Sequence, residues 1–476
     1  MPGNHDQAIH DMGVAALAAA IRDGALTAEA VAQACLAQAE RAAGLNAFAF
    51  FDADAVLADA RAADRARAAG GTLPPLCGVP LTLKDNIDTT ALPTAAGTPA
   101  LRDHRPKRNA PVAQALFDAG AILFGKAGMH ELAYGITSNN AAFGAVRNPY
   151  DPSRVPGGSS GGTGAAVGAR IVPAGIGTDT GGSVRVPAAF CGVMGLRPTT
   201  GRWPQAGIVP ISSTRDTAGP LARTVADLAL LDGIVTGEDA PLPSKAPGDI
   251  RLGVPQSHFW EGLDEETGRL CRDALARLRD AGIDLVEVDL PGIAELTAAI
   301  GFPIVFHEGR VDLDAYLAAA GLDLRSADIA PHVASPDVKG LFDALLAQAP
   351  EAAEAAWKVA VEEQRPRLIA AYRDGLAKYG VDAFVFPTVP LPAPPIGDDE
   401  ETLLNGQKVP TFMTTIRNTD PGSNAGVPGI SLPAGITAAG LPVALELDGP
   451  PGGDRALLAV AETVAAALPA IPAPKI

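Results

Sequence analysis

The spacing of hydrophobic positions along this chain changes several times, and each change marks an element. From residue 11 to about 70, small apolar residues recur three and four apart between spaced charges, as in AEAVAQACLAQAERAA and ADARAADRARAAG. That period in alanine-rich sequence predicts two or three helices, forming an N-terminal helical arm over residues 1–60 that packs on the core. After PLCG the texture changes. VPLTL (79–83) is a short continuous apolar run, which predicts a buried strand. PVAQALFDAG (111–120) reads as a helix leading into the strand AILF (121–124), and IVPAGIG (171–177) as a further strand. ARTVADLALLDGIV (222–235) predicts a helix and RLGVP (251–255) a strand. Helix ETGRLCRDALARLRDAG and strand DLVEVDL repeat the alternation within 265–290. AFVFP (383–387) and PVALELDG (442–449) predict strands, and a helix closes the chain at about 454–468.

Alternation of this kind points to an α/β fold in which a mixed central sheet is covered by helices. The best linker candidate is EDAPLPSKAPGD (238–249), but both its flanks are α/β-like. It is therefore read as a surface loop inside one large catalytic domain, residues 61–476. Residues 389–410, with LPAPPIGDDEETLLNG, read as an exposed excursion of the kind that borders a substrate entrance. No tandem repeat is present.

Composition narrows the function classes. The 476 residues are 47% hydrophobic and 19% charged, enough to bury a large core, with a net charge of −17. An acidic chain cannot neutralise phosphates, so nucleic acid and anionic membrane surfaces are excluded as partners. The start MPGNHDQAIHDMG lacks a basic region followed by an apolar one, and no apolar run reaches about 18 residues. Cys35, Cys77, Cys191 and Cys271 are far apart and read as reduced, buried thiols of a cytoplasmic protein. No cofactor and no metal site are expected; no HExxH or similar ligand pair occurs.

Several motif-like stretches fail on context. GAILFGKA (120–127) imitates a phosphate-binding loop, but Ala127 stands where a hydroxyl should hold magnesium, and AILF is strand-like. GTGAAVG (162–168) imitates a dinucleotide fingerprint without a strand before it. Ser159 and Ser160 both fit G-x-S-x-G, yet prolines 149, 152 and 156 break up the approach that a nucleophile elbow requires. Among the histidines, His5 and His10 fall in a mobile start, and the last, His332, lies 144 residues before the end. His130, in GMHELAYG, reads equally as a pocket residue or a hydrogen-bonded structural one.

Three elements survive: GVPLTLKDNID (78–88), with Lys84 after an apolar strand; PGGSSGGTGAAVGA (156–169); and GTDTGGSVRVPAAFCG (177–192). In the last, successive N–H groups of Thr180, Gly181, Gly182 and Ser183 can curl into an anion-binding nest, an oxyanion hole. Asp179 and Arg185 flank this loop and can pair to hold its shape. With GKAGMHEL (125–132), GLRPTTGR (195–202) and PGISLPAG (428–435), these stretches resemble the amidase signature family from about residue 60 to the C-terminal helix.

The resemblance implies a Ser–Ser–Lys triad in place of a histidine: Lys84 as base, Ser183 as nucleophile and Ser159 as bridge. The family's spacing puts the bridge 24 residues before the nucleophile, which selects Ser159 and leaves Ser160 a supporting residue. It also implies a cis peptide at Ser159. A lysine at its reference pKa of about 10.4 is neutral about once in 2,500 molecules at pH 7, so burial must lower it. Asp85 would oppose this if it faced the amine, but neighbours in an extended segment point to opposite faces.

ELAYGITSNN (131–140) and NTDPGSNAGVPGISLPAG (418–435) look most like the branch of indoleacetamide and mandelamide hydrolases. For such a ring, Met129, Tyr134, Phe412, Met413 and Ile416 are the candidate apolar lining. The expected partner is a small amide or carbamate substrate, and a homodimer is an allowed assembly. Rival readings are a carbamate (urethane) or ester hydrolase, a glutamine-hydrolysing subunit of a tRNA-dependent amidotransferase, and a catalytically dead binding scaffold. Arg417 stands where glutamine-hydrolysing members keep an acidic residue.

Overall fold

The computed structural model describes residues 9–476, so His5 lies outside it. His10, expected in a mobile start, is instead buried, with Nε2 3.1 Å from Arg41 Nη2. A mixed sheet of eleven strands runs through the molecule. In spatial order the strands are Phe48–Phe50, Ile122–Ala127, Pro80–Lys84, Ala174–Asp179, Thr217–Ala222, Met194–Arg197, Gly429–Ile436, Pro442–Asp448, Ala383–Pro387, Arg251–Pro255 and Asp284–Val288. Pro80–Lys84 pairs in parallel with both of its neighbours, and Arg251–Pro255 does the same near the far edge. The other pairings are antiparallel. The α/β fold with a helix-covered mixed sheet is as the alternation predicts.

Most elements fall where the apolar runs place them, within a few residues. AILF extends to Ala127, so Gly125 and Lys126 of the false phosphate loop lie in a strand. Lys126 is buried, donating to the Pro93 carbonyl (2.9 Å) and to Thr94 Oγ1 (2.9 Å). GTGAAVG lies in the helix Gly161–Gly168, every residue of which is buried. Its glycines serve close packing: a Cβ on Gly162 would meet the backbone oxygens of Ala47 and Gly128 at 2.4 Å. Within 389–410, Glu401–Leu404 and Gln407–Pro410 form a hairpin turned at Asn405–Gly406, both with positive φ, as a type I′ turn requires. The short helix Thr411–Ile416 follows directly.

Elements without a strong local period were not predicted. They include the central strands Met194–Arg197, Thr217–Ala222 and Gly429–Ile436, and the helix Ile293–Ala319 of 27 residues. The central strands lie in an apolar core on all sides, and neither alternation nor turn signals announce them. Among the described residues, no helix is long and apolar enough to cross a membrane, and all four cysteines are buried and free.

The helices before the first catalytic-domain strand are tied to each other and to the sheet. Phe48–Phe50 pairs with Ile122–Ala127, and helix Ala53–Ala68 crosses the expected boundary at residue 60. Asp64 on that helix accepts the N–H groups of Ala28 (2.9 Å) and Glu29 (3.0 Å), two free donors at the start of helix Ala28–Arg41. Asp64→Ala is therefore expected to cost about 1–2 kcal/mol of stability. The cost should appear as a lower urea midpoint with turnover unchanged; an unaltered midpoint would remove this role.

Candidate active site

Strands Pro80–Lys84 and Ala174–Asp179 run side by side in parallel, with Thr82 opposite Gly175 and Leu83 opposite Ile176. Lys84 and Thr178 consequently emerge together at the same end. Lys84 is fully buried, with Nζ 2.7 Å from Ser159 Oγ, 2.7 Å from Thr178 Oγ1 and 3.5 Å from the Thr178 carbonyl oxygen. Burial pushes its pKa down to about 7, against the opposing pull of Asp179 and Asp216. Asp85 points the other way, as strand alternation requires: it accepts from Gly97 N–H (3.0 Å) and Ala95 N–H (3.3 Å) and lies 3.8 Å from Lys126 Nζ.

The two adjacent serines do different things. Ser159, whose peptide bond to Gly158 is cis, puts its hydroxyl on the Lys84 amine, and its carbonyl accepts the His130 N–H at 3.1 Å. Ser160 donates its hydroxyl to the Thr178 carbonyl (3.1 Å) and accepts the Thr178 N–H (3.2 Å). The Ser160 backbone N–H reaches the Ser183 carbonyl at 3.3 Å, joining the two glycine-rich clusters. His130 takes the structural role of its two readings. Its Nδ1 accepts the Ser138 N–H (3.1 Å), and its Nε2 lies 3.0 Å from Asp337 Oδ2.

Asp179 organises the following loop. Its carboxylate accepts the N–H groups of Gly182 (2.9 Å) and Val184 (3.1 Å) and pairs with Arg185 and Arg197, each at 3.0 Å. Burial alone would raise the Asp179 carboxyl; the two guanidinium charges outweigh it and hold the pKa well below the usual carboxylate range. This corrects one expectation. The Gly182 N–H is already committed to the Asp179 carboxylate, so it is not among the free donors expected of the 180–183 loop. Gly182 has φ +137°, and a Cβ there would meet Thr419 Oγ1 at 2.2 Å, so only glycine fits. Thr180 Oγ1 donates to Asp216 (2.6 Å) and Thr419 Oγ1 to the Gly181 carbonyl (2.6 Å), which fixes the loop from both sides.

Thr180, Gly181 and Ser183 face a cavity of about 180 Å³. Tyr134, Phe412, Met413 and Ile416 line it. Met129 does not: it is buried behind that wall, in the same apolar cluster as Tyr134 and Ile211. The helix Ile293–Ala319 supplies another wall through Ala298, Gly301 and Phe302. Sequence reasoning also missed Thr178, His258 and the ion pair of Arg215 with Asp420. The register sets Lys84 beside Gly177, so strand parity alone does not place Thr178 at the amine. No local signal marks the others. Among the described residues, no three His, Cys, Asp or Glu side chains come together in a way that could hold a metal ion.

A protein-family model described as Amidase matches residues 30–458. Indoleacetamide hydrolase of Agrobacterium vitis is 44% identical over 428 residues, 89% of this chain and 90% of that protein. Mandelamide hydrolase of Pseudomonas putida is 40% identical over 476 residues, covering 96% and 91%. Among solved structures, the native peptide amidase from Stenotrophomonas maltophilia superposes with a TM-score of 0.85 at 30% identity, over 98% of each chain.

Asp179 draws its charge compensation inside the protein from Arg185 and Arg197, and Arg185 is also held by Glu446. Arg185→Met is expected to destabilise the fold by about 3–5 kcal/mol, since it leaves the buried Asp179 charge with one cation in place of two. Chemical denaturation measures this, and a midpoint equal to that of the unmodified protein would contradict it.

Proposed function

The chain belongs to the amidase family, and from that premise we propose that it hydrolyses small aryl or arylalkyl amides through a Lys84–Ser159–Ser183 relay and an acyl-enzyme. It is an amide hydrolase acting on carbon–nitrogen bonds outside peptide chains. The observation that carries the finer reading is the 2.7 Å contact between the buried Lys84 amine and Ser159 Oγ, beside a cavity that Ser183 lines.

A neutral lysine amine has two N–H groups and one lone pair. With the N–H groups directed at Thr178 Oγ1 and the Thr178 carbonyl, the lone pair is left for the Ser159 hydroxyl. At a pKa of about 7, about half of the molecules hold the amine neutral at pH 7. Lys84 takes the Ser159 proton as Ser159 takes that of Ser183, and Ser183 Oγ bonds to the substrate carbonyl carbon. The developing oxyanion is received by the free N–H groups of the 180–183 loop, each worth about 3 kcal/mol in such a site. The relay returns the proton to the leaving nitrogen as the C–N bond breaks. Water then cleaves the Ser183 ester and restores the serine.

The apolar cavity wall and the similarity to indoleacetamide and mandelamide hydrolases support an aromatic acyl group. Aryl carbamates and esters present the same carbonyl geometry and are the second substrate class to screen. Glutamine fits less well. Arg417, where an acidic group would hold the substrate ammonium, lines the cavity, and Asp420 is paired with Arg215.

Two measurements test the relay. Ser183→Ala is expected to lower kcat about 10⁴-fold or more with an unchanged fold; near-normal turnover would end the assignment. The pH profile of kcat/KM on phenylacetamide should rise through about pH 7 and level off above it, because Lys84 acts only when deprotonated. A limb centred near pH 10 would show that the amine is not the base.

A further inference from the structure

His258 lies just past the C-terminal end of strand Arg251–Pro255, in a parallel part of the sheet, and lines the cavity. Ligands of open α/β sheets gather at that end of the strands. Its backbone is held at φ +67°, a left-handed conformation that non-glycine residues adopt uncommonly and that concentrates at functional positions. Phe259, fully buried, packs edge-on against the imidazole at 5.0 Å and fixes the ring.

The tautomer follows from one contact. His258 Nε2 is 2.9 Å from the Arg417 carbonyl oxygen, which can only accept, so Nε2 carries the hydrogen and donates. In the neutral ring Nδ1 is then a bare acceptor, and no group among the described residues donates to it. Of the other polar side chains of the wall, the two arginines are engaged, whereas Thr297 Oγ1 and the Tyr134 hydroxyl have no partner. Arg215 pairs with Asp420, and the Arg417 guanidinium donates to the Glu261 carbonyl at 2.6 Å. Around them stand Ile136, Ile211, Phe412 and Ile416.

We propose that His258 Nδ1 accepts a hydrogen bond from an N–H or O–H borne by the aromatic part of the substrate, so that the preferred amides carry a donor on their ring. This rests on the cavity being the amide site argued above. An apolar pocket discriminates weakly between rings of equal size, whereas an acceptor left unpaired by the wrong ring discriminates strongly. Burial lowers the His258 pKa below its ordinary value, and the Arg417 charge adds to this; the hydrogen bond to the Arg417 carbonyl and the charges of Glu261 and Asp420 oppose it. The ring is therefore neutral at pH 7. As the pH falls through the lowered pKa, Nδ1 gains a proton and ceases to accept.

The test compares kcat/KM for indoleacetamide with that for its benzofuran analogue, in which a ring oxygen replaces the N–H without added bulk. Phenylacetamide serves as a donor-free control. The unmodified enzyme is expected to prefer the indole by about 10-fold or more, mainly through KM. His258→Phe should abolish the preference, read as the indole-to-benzofuran ratio, whatever its effect on turnover of the phenylacetamide control. His258→Asn, which tolerates the left-handed backbone and offers an amide oxygen, should restore part of it. The indole-to-benzofuran ratio, in which protonation of Lys84 cancels, should fall as the pH is lowered. Hydrolysis of both rings at equal efficiency, or a preference that survives in His258→Phe, overturns the role of His258 and leaves the amidase reading standing. Failure of the unmodified enzyme on all three amides overturns that reading and this proposal together.

Discussion

A lysine amine removed from water, with only two hydroxyls and a carbonyl for company, is the constraint around which this site is arranged. Lys84 reaches Ser159 Oγ, Thr178 Oγ1 and the Thr178 carbonyl. Burial therefore favours the neutral form, with a pKa of about 7. The second buried lysine of the same sheet shows what the neighbourhood decides. Lys126 is as deeply buried, but Asp85 and Asp88 pull against desolvation and its pKa settles at about 8. Strand parity sends Asp85 toward Lys126 and away from Lys84.

A neutral amine needs a fixed hydroxyl, and the hydroxyl needs a fixed nest beside it. Both depend on the backbone around Thr178 and Asp179. Ser160 clamps the Thr178 peptide from one side, and Asp179 holds the N–H groups of Gly182 and Val184 on the other. Asp179 can remain charged there because Arg185 and Arg197 meet it. Arg185 is in turn held by Ser423 at 2.6 Å and by Glu446, from elements far along the chain. The 179–185 loop is thus held in one shape by the protein's own groups.

The cavity wall is tied to the same frame. Asp216, which accepts from Thr180, also accepts the N–H groups of Ile211 and Ser212. Ser212 donates to Glu308 at 2.5 Å and Thr214 to the same carboxylate at 3.0 Å, fastening this segment to helix Ile293–Ala319. Trp357 Nε1 closes on the other oxygen of Glu308 at 2.7 Å. The helix that walls the pocket is therefore coupled to the loop that carries Ser183.

Much of this was legible locally. VPLTL, AFVFP and RLGVP are strands because continuous apolar runs are stable only when buried on both faces, and KDNID, GGSSGG and GTDTGGSVR stood out as glycine-bounded chemistry. Strand alternation by itself sends Lys84 and Asp85 to opposite faces. Other facts belong to the fold alone. The Gly182 N–H looked like a free donor until the tertiary structure folded the Asp179 carboxylate onto it. Met129 looked like pocket lining, although it packs behind the wall, in the apolar cluster that Tyr134 and Ile211 also join. His258, Arg215 and Asp420 carry no local mark, because their meaning comes from which strand ends and helices converge on one cavity. Sequence determined which side chains could act and which face of each strand they occupy, since these follow from covalent geometry and local burial. Tertiary structure decided which groups meet, and hence which donors are free and which amine is neutral, because hydrogen bonds and desolvation depend on neighbours far along the chain.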